Sequence, residues 1–190
     1  MEIILASQSP RRKELLSLLD IPFKIMVSDA DETVDAGLPP HFIAESLSLK
    51  KAAAVAKNVE TPAIIIGADT IVLSEDEILG KPKDEDDAKN MLSALSGKWH
   101  KVISGVTIFR TTDAKSESFY VETNVKFSNL SEREISDYIK TNEPMDKAGA
   151  YGIQGKGAKF IEKIEGDYFN VVGLPLSKLY QVLKKEFNIF

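Results

Sequence analysis

Six consecutive residues, Ser7-Gln8-Ser9-Pro10-Arg11-Arg12, carry groups suited to binding an anion. Ser9 has the character of a helix N-cap and Pro10 that of a first helical residue, which places Arg11 and Arg12 in the first turn. A helix start is electropositive because its first N–H groups lack intrahelical acceptors, so two guanidiniums there oppose the local field. The arrangement costs a few tenths up to about 1 kcal/mol per charge unless an anion sits among them. Phosphate fits, since free N–H groups, a serine hydroxyl and two guanidiniums converge on it. Elsewhere the chain obeys the ordinary rule: Asp84, Glu85, Asp86 and Asp87 open a helix that Gly97 closes. The arginines are therefore read as serving a ligand.

Acidic groups supply the complementary chemistry. Asp69 stands within the apolar run Ala63 to Leu73, which reads as a central strand buried on both faces. A carboxylate in such a run needs a cation, a proton donor or a catalytic role, because desolvating its charge is costly. Gly67, two residues earlier, lets another group approach the backbone. A second acidic cluster, Asp29, Asp31 and Glu32, follows the expected strand Phe23 to Val27 and could equally be a solvated turn. Lys81 lies between Gly80 and Pro82, which are expected to fix its backbone. Lys50 falls within the apolar stripe of a helix from about Phe42 to Lys57, formed by Ile43, Leu47 and Ala54, and Lys51 lies at its edge; periodicity does not choose between them.

These residues need a scaffold, and the remaining sequence describes one. Glu2 to Ala6 reads as a buried strand, followed by the arginine turn and a helix to about Leu19 with Leu15, Leu16 and Leu19 on its apolar face. Ser74 to Glu77 forms a turn. Trp99 to Phe109 and Phe119 to Phe127 are longer strands, with Trp99 expected in the core and His100 structural or on the surface. Ser131 and Glu134 make a capping box for a helix to about Lys140. A short strand to Ile164, a turn at Gly166, the segment Tyr168 to Val172 and a helix after Pro175 follow. The segment from Glu143 to Gly157 concentrates polar residues and glycines without the spacing of a Walker loop or a dinucleotide fingerprint, and reads as a binding loop.

Composition narrows the classes. With 190 residues, 43% of them hydrophobic, the chain is expected to form one domain with two lobes rather than two separate domains. The absence of cysteine excludes disulfides, a thiolate zinc site and a cysteine nucleophile. Two histidines, His41 and His100, are too few for a histidine-rich metal site, leaving carboxylates, which suit magnesium or manganese. A net charge of −5 argues against non-specific nucleic-acid binding. Neither a signal peptide nor a membrane anchor is expected, and the cytoplasm is the expected location.

Taken together, the motifs resemble the Maf family of nucleotide pyrophosphatases along nearly the whole chain. The resemblance rests on Leu5 to Arg12, Gly67-Ala68-Asp69-Thr70, Gly80-Lys81-Pro82, Leu95-Ser96-Gly97, Glu143 to Gly155 and Val172-Gly173-Leu174-Pro175. The fifth of these, with Tyr151 and Gln154, is similar to the branch acting on dTTP and UTP. The resemblance implies release of pyrophosphate and a nucleoside monophosphate with a divalent cation. It also implies an α/β fold similar to that of the inosine triphosphate pyrophosphatases: a long mixed, twisted sheet flanked by helices, with two lobes and a central cleft over residues 1–190. By the same resemblance, Ser7, Arg11, Arg12, Lys51 and Lys81 hold the triphosphate, and Asp69 accepts the proton with Lys81 also in the catalytic set. Glu32 and Asp69 hold the metal, while Thr70 and Gln154, with Arg12, govern substrate choice. Ser48 departs from the family, many members of which carry alanine there.

The residue types agree with that chemistry. Cleaving an α–β phosphoanhydride develops charge on phosphoryl oxygens, which guanidiniums, ammoniums and a cation stabilise. The Gln154 carboxamide can donate its NH2 to O4 of uracil or thymine and accept N3–H with its oxygen. A nucleotide-binding regulator of cell division is the rival reading and would need the arginine turn but not the acidic groups. A monophosphate or acid-sugar phosphatase would need fewer cations. A homodimer is the expected assembly.

Overall fold

The computed structural model describes residues 1–33 and 37–190. In chain order the elements are β1 (Glu2–Ala6), α1 (Pro10–Ser17), β2 (Lys24–Ile25), α2 (Pro40–Ala56), β3 (Ala63–Ser74), β4 (Glu77–Leu79) and α3 (Glu85–Leu95). There follow β5 (Trp99–Arg110), β6 (Ser116–Phe127), α4 (Glu132–Ile139), three short 3-10 turns between Glu143 and Phe160, β7 (Ile161–Glu165), α5 (Tyr168–Val172) and α6 (Leu176–Phe187). The strands form one mixed sheet in the order β2-β1-β3-β5-β6-β7, with β4 paired to β3.

The chain divides into two compact units, the first comprising Met1–Asp69, Ser104–Val121 and Gly173–Phe190, the second Thr70–Ile103 and Glu122–Val172. In the first, β1 runs parallel to β3 with Ile3 opposite Ile64 and Ala6 opposite Gly67. Ile64, Ile65 and Ile66 are fully buried, as a parallel strand covered on both faces requires. Ile4, Ala6, Ala52, Val55, Ala63 and Ile65 form one apolar cluster there. In the second, β4 and β7 run antiparallel to β3 and β6, and Val72, Leu92, Leu95, Val102, Phe127, Tyr138, Tyr151 and Phe160 pack together. Each fully buried large side chain contributes about 1.5–3 kcal/mol through removal of its surface from water.

Three expectations change. The second strand is only Lys24–Ile25, on the edge of the sheet, where short strands leave little backbone to pair with other chains. The helix expected from Phe42 begins at Pro40 because a proline is tolerated at the first helical position, where its missing N–H costs nothing. Trp99 is 43% exposed rather than in the core. The alternation of β5 turns His100 and Val102 inward, leaving the indole under the Lys163 ammonium, 5.8 Å from the ring centroid.

Candidate active site

The arginine turn forms as its sequence dictates. Ser9 caps α1 by accepting the Arg12 N–H, Pro10 occupies the start of the helix, and no acidic residue enters the first turn. The Arg12 side chain is held on two sides. Its Nε donates to the Gly173 carbonyl at 2.9 Å, and its Nη1 donates to Ser7 Oγ at 3.4 Å. Ser7 Oγ also accepts the Ser9 N–H at 3.2 Å. Gly173 has φ 126, a backbone conformation that glycine adopts readily, and it aims this carbonyl. Part of Arg12 still reaches water, yet burial of the guanidinium is the leading influence on its pKa and lowers it. Asp69 opposes that shift, Arg11 adds to it and Glu32 opposes it.

The catalytic aspartate candidate lies just past the end of the fully buried run. Ala68 is inaccessible, whereas the Asp69 side chain keeps 14% of its surface. Because Ala6 pairs with Gly67, the loop carrying Ser7 and the β3 residue Asp69 emerge at the same end of the parallel pair. Anionic ligands commonly bind outside the carboxyl ends of such strands.

Helix α2 brings the partner lysine, and two glycines let it. A Cβ on Gly67 would lie 2.8 Å from the Ala52 nitrogen and closer still to the Ser48 carbonyl, while one on Gly105 would run into the backbone of Ala44 and Glu45. The helix backbone therefore rests directly on β3 and β5. Ser48 fits this contact: its Oγ lies 2.7 Å from both the Glu45 carbonyl and Thr107 Oγ1, so its departure from alanine leaves the hydroxyl satisfied. With α2 seated this closely, Lys51 Nζ reaches Asp69 Oδ1 at 2.5 Å and Glu32 Oε1 at 2.9 Å. Lys50 instead donates to the Thr33 carbonyl. Of the two lysines that periodicity left open, Lys51 is the one that meets Asp69.

Two carboxylates, Glu32 and Asp69, converge on one cationic nitrogen. Oxygen donors so placed suit magnesium or manganese, which usually takes one or two carboxylates and completes its shell with water and substrate phosphates. The donor set fits a hard divalent cation on that basis. Among the described residues no cluster of three or more His, Cys, Asp or Glu side chains forms a protein-only cage.

The first unit thus gathers Ser7, Arg11, Arg12, Glu32, Lys51 and Asp69. Thr70, Lys81 and Gln154 belong to the second unit. Thr70 is half-buried beside Asp69 in β3, and Lys81 and Gln154 are exposed. Gly80 takes no positive φ and a Cβ there would meet nothing within 4 Å, so neither its conformation nor its surroundings demand glycine. Its carbonyl instead accepts the Gly149 N–H at 3.0 Å, joining the lysine segment to the loop that carries Gln154. Gly149, at φ 68, packs tightly against Val72, whose methyl groups would lie 3.0 Å from an added Cβ. Sequence reasoning missed two supports: the Gly173 carbonyl on Arg12, and His100 Nε2 against the Tyr151 hydroxyl at 2.7 Å. Gly173 and Tyr151 stand within family motifs, but nothing local marks a partner more than 50 residues away.

Residues 2–186 match the family model described as Maf-like protein. The chain belongs to the Maf family. Maf relatives named dTTP/UTP pyrophosphatase resemble it throughout. One from Thermoanaerobacter sp. (strain X514) is 53% identical over 189 residues, covering 100% of this chain and 98% of the relative. Another from Bacillus cereus (strain G9842) is 54% identical over 184 residues, covering 97% and 95%. Among solved structures, a HAM1 protein from Coxiella burnetii is similar at TM-score 0.51 and 17% identity, covering 97% of this chain and 99% of that one. That likeness concerns the fold alone, and it bears out the expected mixed sheet flanked by helices.

Proposed function

We propose that this Maf protein hydrolyses dTTP and UTP to the nucleoside monophosphate and pyrophosphate, as nucleotide-pool housekeeping, with residues 1–190 working as one domain. The observation that carries the reading is the Lys51–Asp69–Glu32 constellation, electrostatically linked to Arg12. The names of the relatives give it its substrates.

Ser7, Arg11, Arg12, Lys51 and Lys81 bind the triphosphate and stabilise charge on its oxygens during bond cleavage. Lys51 exchanges part of its contact with Asp69 and Glu32 for phosphate oxygens, which releases the carboxylates for their own roles. Asp69 takes a proton from water as that water's oxygen bonds to the α-phosphorus, and the α–β bridging oxygen departs with pyrophosphate. Glu32 and Asp69 would hold the divalent cation, whose contribution there is neutralisation of charge on phosphoryl oxygens. Gln154 pairs with the pyrimidine edge, and Thr70 and Arg12 contribute to substrate choice. The setting is the cytoplasm; among the described residues no helix is long and apolar enough to cross a membrane.

The test is product analysis. UTP or dTTP with magnesium or manganese should yield UMP or dTMP and pyrophosphate, and reaction in ¹⁸O-water should label the monophosphate. Orthophosphate with a nucleoside diphosphate would overturn the assigned bond, and tight UTP binding without turnover would favour the regulator.

A further inference from the structure

The Gln154 segment is held by a single carboxylate that the mechanism leaves without a role. Glu143 opens the loop, eleven residues before Gln154. Its Oε1 accepts the Tyr138 hydroxyl at 2.9 Å and the Gly157 N–H at 3.3 Å, and its Oε2 accepts the Lys156 N–H at 2.9 Å. The Tyr138 oxygen in turn accepts the Gly152 N–H at 3.2 Å. One hydroxyl–carboxylate pair thereby collects backbone donors from both sides of Gln154. The Glu143 carbonyl also accepts Lys147 Nζ at 2.6 Å, tying the front of the loop to itself.

The neighbouring glycines leave this arrangement little freedom. A Cβ on Gly155 would lie 2.5 Å from Glu143 Cδ, and one on Gly152 would lie 2.7 Å from Lys147 Cε. Tyr138 itself is 1% exposed and meets the Phe160 ring edge-on at a centroid distance of 5.1 Å, so its hydroxyl has a fixed origin. Ile153 is buried while Gln154 is exposed. The backbone is thus fixed around a side chain that remains available.

All three donors aimed at Glu143 require an acceptor. An ionised carboxylate is acceptor-only and can serve them together, whereas a glutamine amide would turn an NH2 group toward at least one N–H or O–H. The Glu143 pKa reflects this: burial pushes it up, but the bonds from Lys156, Tyr138 and Gly157 bring it below the ordinary value.

We propose that Glu143, acting through Tyr138, is the positioning residue for base recognition, holding the Gln154 segment in its binding geometry before substrate arrives. The proposal rests on the reading that Gln154 recognises the pyrimidine. A pre-ordered segment spends no binding energy on its own ordering, so its release weakens recognition of the base and leaves phosphate binding intact.

Glu143→Gln and Tyr138→Phe test this in the full-length chain, with KM and kcat measured for UTP and CTP. Inorganic tripolyphosphate, which has the phosphates but no base, serves as a competitive inhibitor. In Glu143→Gln the UTP KM should rise about tenfold, the equivalent of disordering roughly one residue. Its kcat should stay within about twofold, the preference for UTP over CTP should fall, and the tripolyphosphate Ki should hold. Tyr138→Phe keeps the ring and its packing and should show the same split in smaller measure. An unaltered UTP KM and preference in either folded variant would overturn the proposal, as would equal losses for UTP, CTP and tripolyphosphate. If Glu143→Gln does not fold, Tyr138→Phe decides alone. Absence of UTP and dTTP turnover in the wild type would remove the underlying reading, and the positioning role with it. Normal wild-type turnover with unaltered variants removes the positioning role alone.

Discussion

Lys51 is shared between two carboxylates, and its position makes Lys50 and Lys51 experimentally separable. Lys51 Nζ lies 2.5 Å from Asp69 and 2.9 Å from Glu32, whereas Lys50 ends on the Thr33 carbonyl. Lys51→Met should therefore leave Asp69 and Glu32 facing each other without their common counter-ion, while Lys50→Met should turn over substrate close to the wild-type rate. Asp69→Asn removes the proposed proton acceptor and should lower kcat for UTP by about 10²–10⁴-fold. Steady-state pyrophosphate release measures all three, and full activity in Asp69→Asn would take that residue out of the mechanism. The arginine turn was legible without the structure because helix electrostatics is a local rule. Which lysine meets Asp69 was not, since adjacent positions on a helix differ by only about a third of a turn and the deciding partners lie on β3 and in the segment before α2.

The helix α2 is positioned by what is missing beneath it. Gly67 and Gly105 supply the absent side chains, and the helix backbone fills the space. Gly67→Ala would insert a methyl group 2.8 Å from the Ala52 nitrogen, adjacent to Lys51. Such overpacking should cost about 1–3 kcal/mol of stability, and displacement of Lys51 from Asp69 should lower activity with it. Gly80→Ala, where the added group meets nothing within 4 Å, should change stability by less than about 0.5 kcal/mol. Denaturant unfolding of the two variants measures the contrast; equal effects would mean that α2 does not depend on the close approach. A glycine in a strand pattern announces such an approach in the sequence, but not which element makes it.

At the scale of the whole molecule, His100 couples stability to pH. Its ring is 3% exposed, among Phe127 and Tyr151, and burial lowers its pKa from 6.5 to about 4. The folded protein thus keeps the imidazole neutral where the unfolded chain protonates it. Stability from this source is present in full above about pH 6.5 and is lost as pH falls toward 4, amounting to about 3 kcal/mol in total and about 2 kcal/mol by pH 5. Chemical denaturation of wild type and His100→Gln at pH 7.5 and 5 checks the sign: the variant should lose less stability between the two. Equal slopes would mean that the histidine does not stay neutral on folding. Alternation along β5 could have placed His100 inward, but choosing the inward face required knowing that Trp99 lies on the opposite one.

What the sequence determined by itself follows from short-range chemistry. The Ser9 cap, the misplaced charges of Arg11 and Arg12, the Ser131–Glu134 capping box and the apolar run of β3 each depend on residues within a few positions of one another. Tertiary structure decided the rest, because a side chain's partner is fixed by strand register and helix seating. Register set Ala6 beside Gly67, seating gave Asp69 to Lys51, and a turn 161 residues away offered Arg12 its carbonyl. The loop from Glu143 to Gly157 shows both: its composition marked it for binding, while its order comes from a tyrosine on α4 and the carboxylate that tyrosine holds.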